Sequence, residues 1–158
     1  MKDKKDKKNK IEKIIISVGY GKIRDKQDMI KKIGQQLTKI AGQKPRVTIS
    51  KKAISGFKLR QGEPVGYQIT LRRKKAVDFF GRMVNSAIPR IRDFRGLKAD
   101  GFDEKGNYNL GINEQTIFPE ITPEESEMVF GMNITIVTTA STPETAKESL
   151  IQLGFPFK

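Results

Sequence analysis

Hydrophobic and polar positions change period several times along the chain, and each change marks an element. Residues 11–18 (IEKIIISV) are dense in β-branched side chains and read as a strand, mostly buried at its end. Gly19-Tyr20-Gly21 breaks the run. Beyond it Met29, Ile33, Leu37 and Ile40 recur at intervals of 4, 4 and 3, one apolar stripe along a helix. Asp25 is placed to cap that helix, Gly42 stops it, and Pro45 lies just beyond. Residues 46–52 (RVTISKK) give a short strand with Val47 and Ile49 on one face, and the basic, glycine-punctuated stretch 53–64 reads as a long loop. In 65–72 (VGYQITLR), Tyr67, Ile69 and Leu71 alternate with Gln68, Thr70 and Arg72, which predicts a third strand. A second helix is expected over 74–88, with Val77, Phe80, Val84, Ala87 and Ile88 on its apolar side and Pro89 at its end.

The pattern then loosens. Residues 90–96 (RIRDFRG) read as a basic loop, and 100–112, with glycines between aromatics, as turns and short strands. Residues 122–127 (TPEESE) carry a Thr cap, a Pro at the first position and acids in the first turn, the signature of a short helix. Residues 132–139 (MNITIVTT) are the cleanest strand. Thr142-Pro143-Glu144 caps a last helix that runs through Leu153 and is ended by Gly154 and Pro156. This order predicts an α+β fold: an antiparallel sheet with helices packed on one face, ferredoxin-like or RNA-recognition-like, with an irregular insert before the last strand. Residues 11–158 are expected to form a single domain and residues 1–10 (MKDKKDKKNK) a disordered lysine-rich tail, with nothing apolar after Met1 to make a secretory signal. The sheet face away from the helices would carry Thr48, Ser50, Gln68 and Thr70, either as a polar RNA platform or simply as a wet surface.

Composition narrows the function classes. The 158 residues contain no His and no Cys, which removes imidazole and thiolate relays, their metal sites and disulfides. No apolar run approaches the roughly 20 residues of a membrane span. The net charge of +13 is unevenly spread: up to Arg95 there are 27 Lys and Arg against 8 Asp and Glu, and from Gly96 onward 4 against 10. So large an excess opposes compaction unless a polyanion screens it, and nucleic acid is the natural partner. No segment pairs a broad apolar face with a basic one, so an anionic membrane fits less well.

Motifs for chemistry are missing. Gly19-Tyr20-Gly21 lacks the third glycine of a dinucleotide fingerprint, where Arg24 stands, and no phosphate-binding G-x-x-x-x-G-K-[ST] loop occurs. Glu124, Glu125 and Glu127 match first-turn helix charges, and Asp100, Asp103 and Glu104 form the one carboxylate cluster near glycines, too little for a Mg²⁺-dependent transferase. No aromatic RNA-stacking strand is present, so contacts to RNA backbone and grooves fit better than stacking of splayed bases. Phe57, Lys58 and Arg60 between glycines have the makeup of a protruding RNA-contacting finger or of a surface loop with Phe57 tucked back. Arg72-Arg73-Lys74-Lys75 puts four cations at a strand-to-helix junction, a phosphate attractor or a solvated helix start.

The strings Gly42-Gln43-Lys44-Pro45, 55–62 (SGFKLRQG), 69–72 (ITLR), 88–96 (IPRIRDFRG), Phe102-Asp103 with Gly106-Asn107-Tyr108, Glu114-Gln115 with 117–120 (IFPE), and 131–136 (GMNITI) occur in order. With them the chain from about Lys10 onward closely resembles the family of ribosomal large-subunit protein L five, in its bacterial or organellar form. The resemblance implies a non-enzymatic constituent of the large subunit, without cofactor, metal or small-molecule substrate, that binds 5S rRNA in the central protuberance. Its implied partners are 5S rRNA, large-subunit rRNA, peptidyl-site tRNA, a small-subunit head protein and other central-protuberance proteins. A free-standing basic RNA chaperone is the alternative. For 5S rRNA it implies Ser17, Gly19, Gln43, Lys44, Thr48, Lys51, Thr70 and Arg72, with Ser17 where the family usually has Asn. It further implies a tRNA-contacting loop of Gly56, Phe57, Lys58, Arg60 and Gln61, and an intersubunit bridge at Asp103, Glu104, Lys105 and Asn107. Bacterial members begin with a helical segment of some two dozen residues where this chain has its lysine-rich tail.

Overall fold

The computed structural model describes residues 10–158, so the lysine-rich tail up to residue 9 lies outside the described residues. Five strands form one sheet: β1 (Ile11–Gly19), β2 (Arg46–Ile49), β3 (Pro64–Arg72), β4 (Tyr108–Ile112) and β5 (Met132–Thr138), in the order β2-β3-β1-β5-β4. Every pairing is antiparallel. Three helices, α1 (Gln27–Ala41), α2 (Lys74–Arg82) and α3 (Pro143–Gln152), complete an α+β fold. Without β4 the order is that of a split βαβ pair, the ferredoxin-like arrangement read from the sequence. The expected irregular insert contributes β4 as an extra edge strand, whose Tyr108, Leu110 and Ile112 are buried while Asn109 and Gly111 are exposed.

The core lies between sheet and helices. Ile14, Ile16 and Val18 of β1, Ile69 and Leu71 of β3, and Ile134 and Ile136 of β5 point into it, each at most 3% exposed. The α1 stripe Ile30, Ile33, Leu37 and Ile40 closes over them. Aromatic rings fill the β4 end: Tyr108 meets Phe102, Phe155 and Phe157 at centroid distances of 4.9–5.4 Å, and its hydroxyl donates to the Lys98 carbonyl at 2.8 Å. Among the described residues, no helix is long and apolar enough to cross a membrane.

Several local expectations are corrected. Lys26, not Asp25, occupies the α1 N-cap without a side-chain hydrogen bond; Asp28 in the first turn supplies the favourable charge there. The buried face of α2 is Ala76, Phe79, Phe80 and Met83, which leaves Val77 58% exposed. Of the expected stripe, Phe80, Ala87 and Ile88 are buried as read and Val84 is half-buried; Val77 alone turns outward, its place taken by Ala76 and the larger Phe79. The helix does not stay regular to Ile88: a five-residue π-turn, Met83–Ala87, follows Arg82, and Pro89 sits in a 3₁₀ turn, Ile88–Arg90. Pro89 has no N–H for the carbonyl four residues back and its ring crowds that position, so the widened turn relieves both. β2 stops at Ile49, and Ser50 is buried beyond it, its hydroxyl bonded to the Lys52 carbonyl, and so is no part of the polar face. The expected short helix is present as the 3₁₀ turn Glu124–Glu127, but Thr122 does not cap it and donates instead to the Glu125 carboxylate. By contrast, Gly42 ends α1 in the left-handed region (φ 71°), and the Thr142 hydroxyl caps α3 by accepting from the Thr145 N–H.

Candidate nucleic-acid interface

Strand alternation turns every second residue of the sheet away from the helices, and the register aligns these residues into rows. One row runs Gly111, Asn133, Ser17, Gln68, Arg46; the next runs Asn109, Thr135, Ile15, Thr70; a third holds Val137, Lys13 and Arg72. Gly19, Gly66 and Thr48 form a fourth. No Asp or Glu stands in any of these rows. The face is therefore built of hydroxyls and carboxamides with cations at its margins, Lys13, Arg46 and Arg72 among them, and no aromatic ring.

Its polar groups are held in place. Arg46 Nη2 donates to Gln68 Oε1 at 2.9 Å, and Thr135 Oγ1 to Asn109 Oδ1 at 2.8 Å. Gln43, in the α1–β2 connection, donates through Nε2 to the Thr70 carbonyl at 3.2 Å and accepts from Lys75 Nζ at 3.4 Å. β2 pairs with β3 only from Arg46, opposite Gln68, so the Gln43 carboxamide extends the bonding along β3 where β2 has not yet begun. Two glycines on this face behave differently. A Cβ on Gly66 would lie 2.5 Å from the Val18 carbonyl oxygen and 3.0 Å from Thr48 Oγ1, so the fold itself demands glycine there. A Cβ on Gly19 would meet nothing within 4 Å.

Of the residues expected to meet 5S rRNA, Ser17, Gly19, Thr48, Thr70 and Arg72 share this face and Gln43 is bonded to it. Lys44 lies in the same connection, and Lys51 is exposed past the end of β2, off the sheet rows. Lys13, Arg46, Asn109, Asn133 and Thr135 are not singled out by the sequence alone, although period-two alternation in their strands marks them once the inward face is known.

The 55–62 finger projects from the β2–β3 hairpin. Ile54 and Leu59 exchange backbone hydrogen bonds at its neck, Ser55–Phe57 makes a 3₁₀ turn, and Lys58 adopts the left-handed conformation (φ 50°) that closes it. Arg24 Nη1 ties the base down, with Glu63 Oε2 at 2.9 Å and the Lys58 carbonyl at 3.5 Å. Gly56, Lys58, Arg60 and Gln61 are exposed, and Phe57 follows Gly56 in the turn.

The 103–107 loop leads into β4. The Asp103 carboxylate accepts from the backbone N–H groups of Asn107 (2.8 Å) and Lys105 (3.0 Å) and from the Asn107 side chain (2.9 Å). These bonds, that of the Asn107 N–H foremost, hold the Asp103 carboxyl below the usual carboxylate range. Glu104 and Lys105 stay exposed. Further along, buried Gln115 donates to Gln36 Oε1 at 3.0 Å and accepts from the Phe130 N–H at 2.9 Å, which fastens the acidic second half to α1. The Lys39–Glu125 ion pair spans the same junction.

Such a face suits folded RNA. Hydroxyls and amides match 2′-hydroxyls and groove edges, cations match phosphates, and the face carries no aromatic ring on which splayed bases would stack. Among the described residues, no group of His, Cys, Asp or Glu could hold a metal ion.

Comparison with known proteins covers most of the chain. The family model for the C-terminus of the ribosomal L5 family matches residues 64–157, and that of Ribosomal protein L5 matches residues 7–60. The chain belongs to the ribosomal protein L5 family. The Large ribosomal subunit protein uL5 of Thermus thermophilus is 50% identical over 149 residues, 94% of this chain and 82% of that protein. Those of Geobacter sulfurreducens and Flavobacterium johnsoniae are 48% and 50% identical over the same length, covering 83% and 81% of the relatives. The family is structural rather than enzymatic. The two family models meet inside the β2–β3 hairpin, so both halves of the L5 pattern build one sheet.

Proposed function

We propose that the chain, a structural constituent of the large ribosomal subunit, holds 5S rRNA on the open face of its sheet. The observation that carries this is the acid-free row pattern of that face, with Lys13, Arg46, Arg72 and Lys75 around amides and hydroxyls. Ser17, Gln43, Thr48 and Thr70 contact sugar and base edges, Lys44, Lys51 and Arg72 contact phosphates, and Gly19 lets the RNA backbone approach closely. Ser17 keeps a donor and acceptor with a shorter reach than the family's Asn.

The finger, with Gly56, Phe57, Lys58, Arg60 and Gln61, extends toward peptidyl-site tRNA. The loop of Asp103, Glu104, Lys105 and Asn107 faces a basic protein of the small-subunit head, and the excess of acids beyond Gly96 suits that partner. In the large subunit the chain also neighbours large-subunit rRNA and the other proteins of the central protuberance.

Titration of the full chain with 5S rRNA at 50 and 200 mM salt tests the reading. A face neutralising six or more phosphates loses roughly 10³-fold or more in affinity across that range. A flat salt response, or equal affinity for unrelated folded RNAs, would overturn it.

A further inference from the structure

The residues that end β1 border a cavity that none of the roles above uses. Beyond Gly19 the chain passes through Tyr20 and the 3₁₀ turn Gly21–Ile23 before it enters α1, and these residues line a groove of about 950 Å³. Met29 and Ile33 line it from α1, Leu59 and Val65 from the β2–β3 hairpin, and Phe130 from the segment that leads into β5. Val129 stands beside them, 53% exposed. The volume lies within the range of small-molecule sites, roughly 300–1,000 Å³, and the lining is mostly apolar as theirs is.

Tyr20 supplies a polar handle. It is 4% exposed, its ring packs edge-on against Tyr67 at 5.2 Å, and its backbone N–H is bonded to the Val65 carbonyl. Its hydroxyl makes no hydrogen bond among the described residues. The one fully enclosed side-chain polar atom without a partner among them is Glu120 Oε2, so the Tyr20 hydroxyl reaches the open space that Tyr20 lines: this groove and the smaller recess beside Val47 and Tyr67. Burial, and after it Tyr67, raises the pKa of that hydroxyl, so at neutral pH it is a donor in want of an acceptor.

The surrounding charge selects the acceptor. Among the described residues no Asp or Glu lines the groove, whereas Lys22 and Arg24 do. Arg24 is engaged with Glu63 at the finger base, but Lys22 is exposed and enters no ion pair among the described residues. A phosphate backbone has no apolar surface to lay against such walls, and a neutral apolar molecule would leave donor and cation unused. An apolar chain that ends in an anionic acceptor uses all three.

We infer that this groove is a binding site for an amphiphilic monoanion of the alkyl carboxylate class. The alkyl chain lies along Met29, Ile33, Leu59 and Phe130, and the carboxylate accepts from the Tyr20 hydroxyl and Lys22. The site is independent of the RNA that the sheet face holds.

Binding is read on the full chain by displacement of the fluorescent apolar anion anilinonaphthalene sulfonate. The displacers are decanoate, below its micelle concentration, and decanol, its neutral counterpart of equal chain length. Decanoate is expected to displace the probe saturably and about tenfold more tightly than decanol. Tyr20→Phe keeps the ring and Lys22→Glu alters an exposed residue, so both should keep the melting temperature while weakening decanoate about 5- to 10-fold. Lys22→Glu should leave decanol within about twofold. Val129→Asp should weaken decanoate as well, whereas Val77→Asp, at an equally exposed apolar position on α2, should not. Equal losses at Val129 and Val77 would reduce binding to unspecific apolar surface and overturn the inference. So would the absence of saturable displacement, equal affinity for decanoate and decanol, or a Tyr20→Phe protein that binds decanoate like the wild type. Displacement of the probe by 5S rRNA would make the groove part of the RNA interface and overturn it too.

Discussion

The side chain of Gln43 donates to the backbone carbonyl of Thr70 at 3.2 Å, so two residues separated by a strand and a finger form one unit at the sheet margin. The bond leaves the Thr70 hydroxyl on the open face, and the two side chains can be tested apart. Gln43→Ala removes a hydrogen bond worth about 1 kcal/mol to stability and a carboxamide at the margin of the open face, so on the proposed function 5S rRNA binding should weaken about 5- to 10-fold. Thr70→Val keeps the carbonyl and suits the strand, so it should leave the melting temperature unchanged while weakening 5S binding by a similar factor. A Thr70→Val protein that binds 5S rRNA like the wild type would remove that hydroxyl from the interface.

Gly19 and Gly66 face each other across β1 and β3 and separate fold from function. Gly66→Ala drives a methyl into the Val18 carbonyl, 2.5 Å away, and backbone cannot yield as a flexible side chain would. A loss of about 2–3 kcal/mol is expected, seen as a melting temperature lowered by roughly 5–10 °C. Gly19→Ala meets open space, so its melting temperature should match the wild type. Its 5S affinity should fall if the RNA backbone lies against that position, and an unchanged affinity would show that it does not.

The finger is expected to act independently of the sheet face. Arg60→Ala should leave 5S affinity within about twofold while impairing tRNA handling in reconstituted subunits; loss of 5S binding would contradict the division of roles. Glu63→Gln loosens the Arg24 clip. That pair is partly exposed, so its contribution stays below about 1 kcal/mol, and global melting should barely move. Trypsin cleavage after Lys58 and Arg60 should nevertheless become faster, since the clip anchors the finger base.

How far the sequence reveals all this depends on the kind of signal. Strand β3 is legible because inward Ile69 and Leu71 alternate with polar Gln68, Thr70 and Arg72, which also yields its open-face residues; β1 and β5 are legible as strands from their β-branched residues, but the run Ile14-Ile15-Ile16 hides which face of β1 turns inward. The α2 stripe is read rightly at Phe80, Ala87 and Ile88 but not at Val77, because Val77 and Phe79 are both apolar and only packing decides which turns inward. β4 is half-hidden: Tyr108, Leu110 and Ile112 alternate correctly, but the strand is short, follows Gly106 and contains Gly111. The Gln43–Thr70 bond joins residues 27 apart, and no local pattern announces it. The Arg24 clip on the finger is equally non-local.

The 103–107 loop carries a pH signature whose sign follows from its hydrogen bonds. Asp103 is held below the usual carboxylate range by the N–H groups of Asn107 and Lys105, which prefer its ionised form. A carboxyl with a lowered folded pKa contributes its order fully above the unfolded value of about 3.9 and loses it as pH falls through the folded value. The loop should therefore be unchanged from pH 7 down to about 5 and open only in stronger acid. Amide NMR of Lys105 and Asn107 reads this directly, with a common midpoint expected below the ordinary carboxylate value. Asp103→Asn should abolish that transition and increase amide exchange of the loop at neutral pH, with 5S affinity unchanged. A midpoint at or above the ordinary value would mean that the carboxylate does not organise the loop in solution.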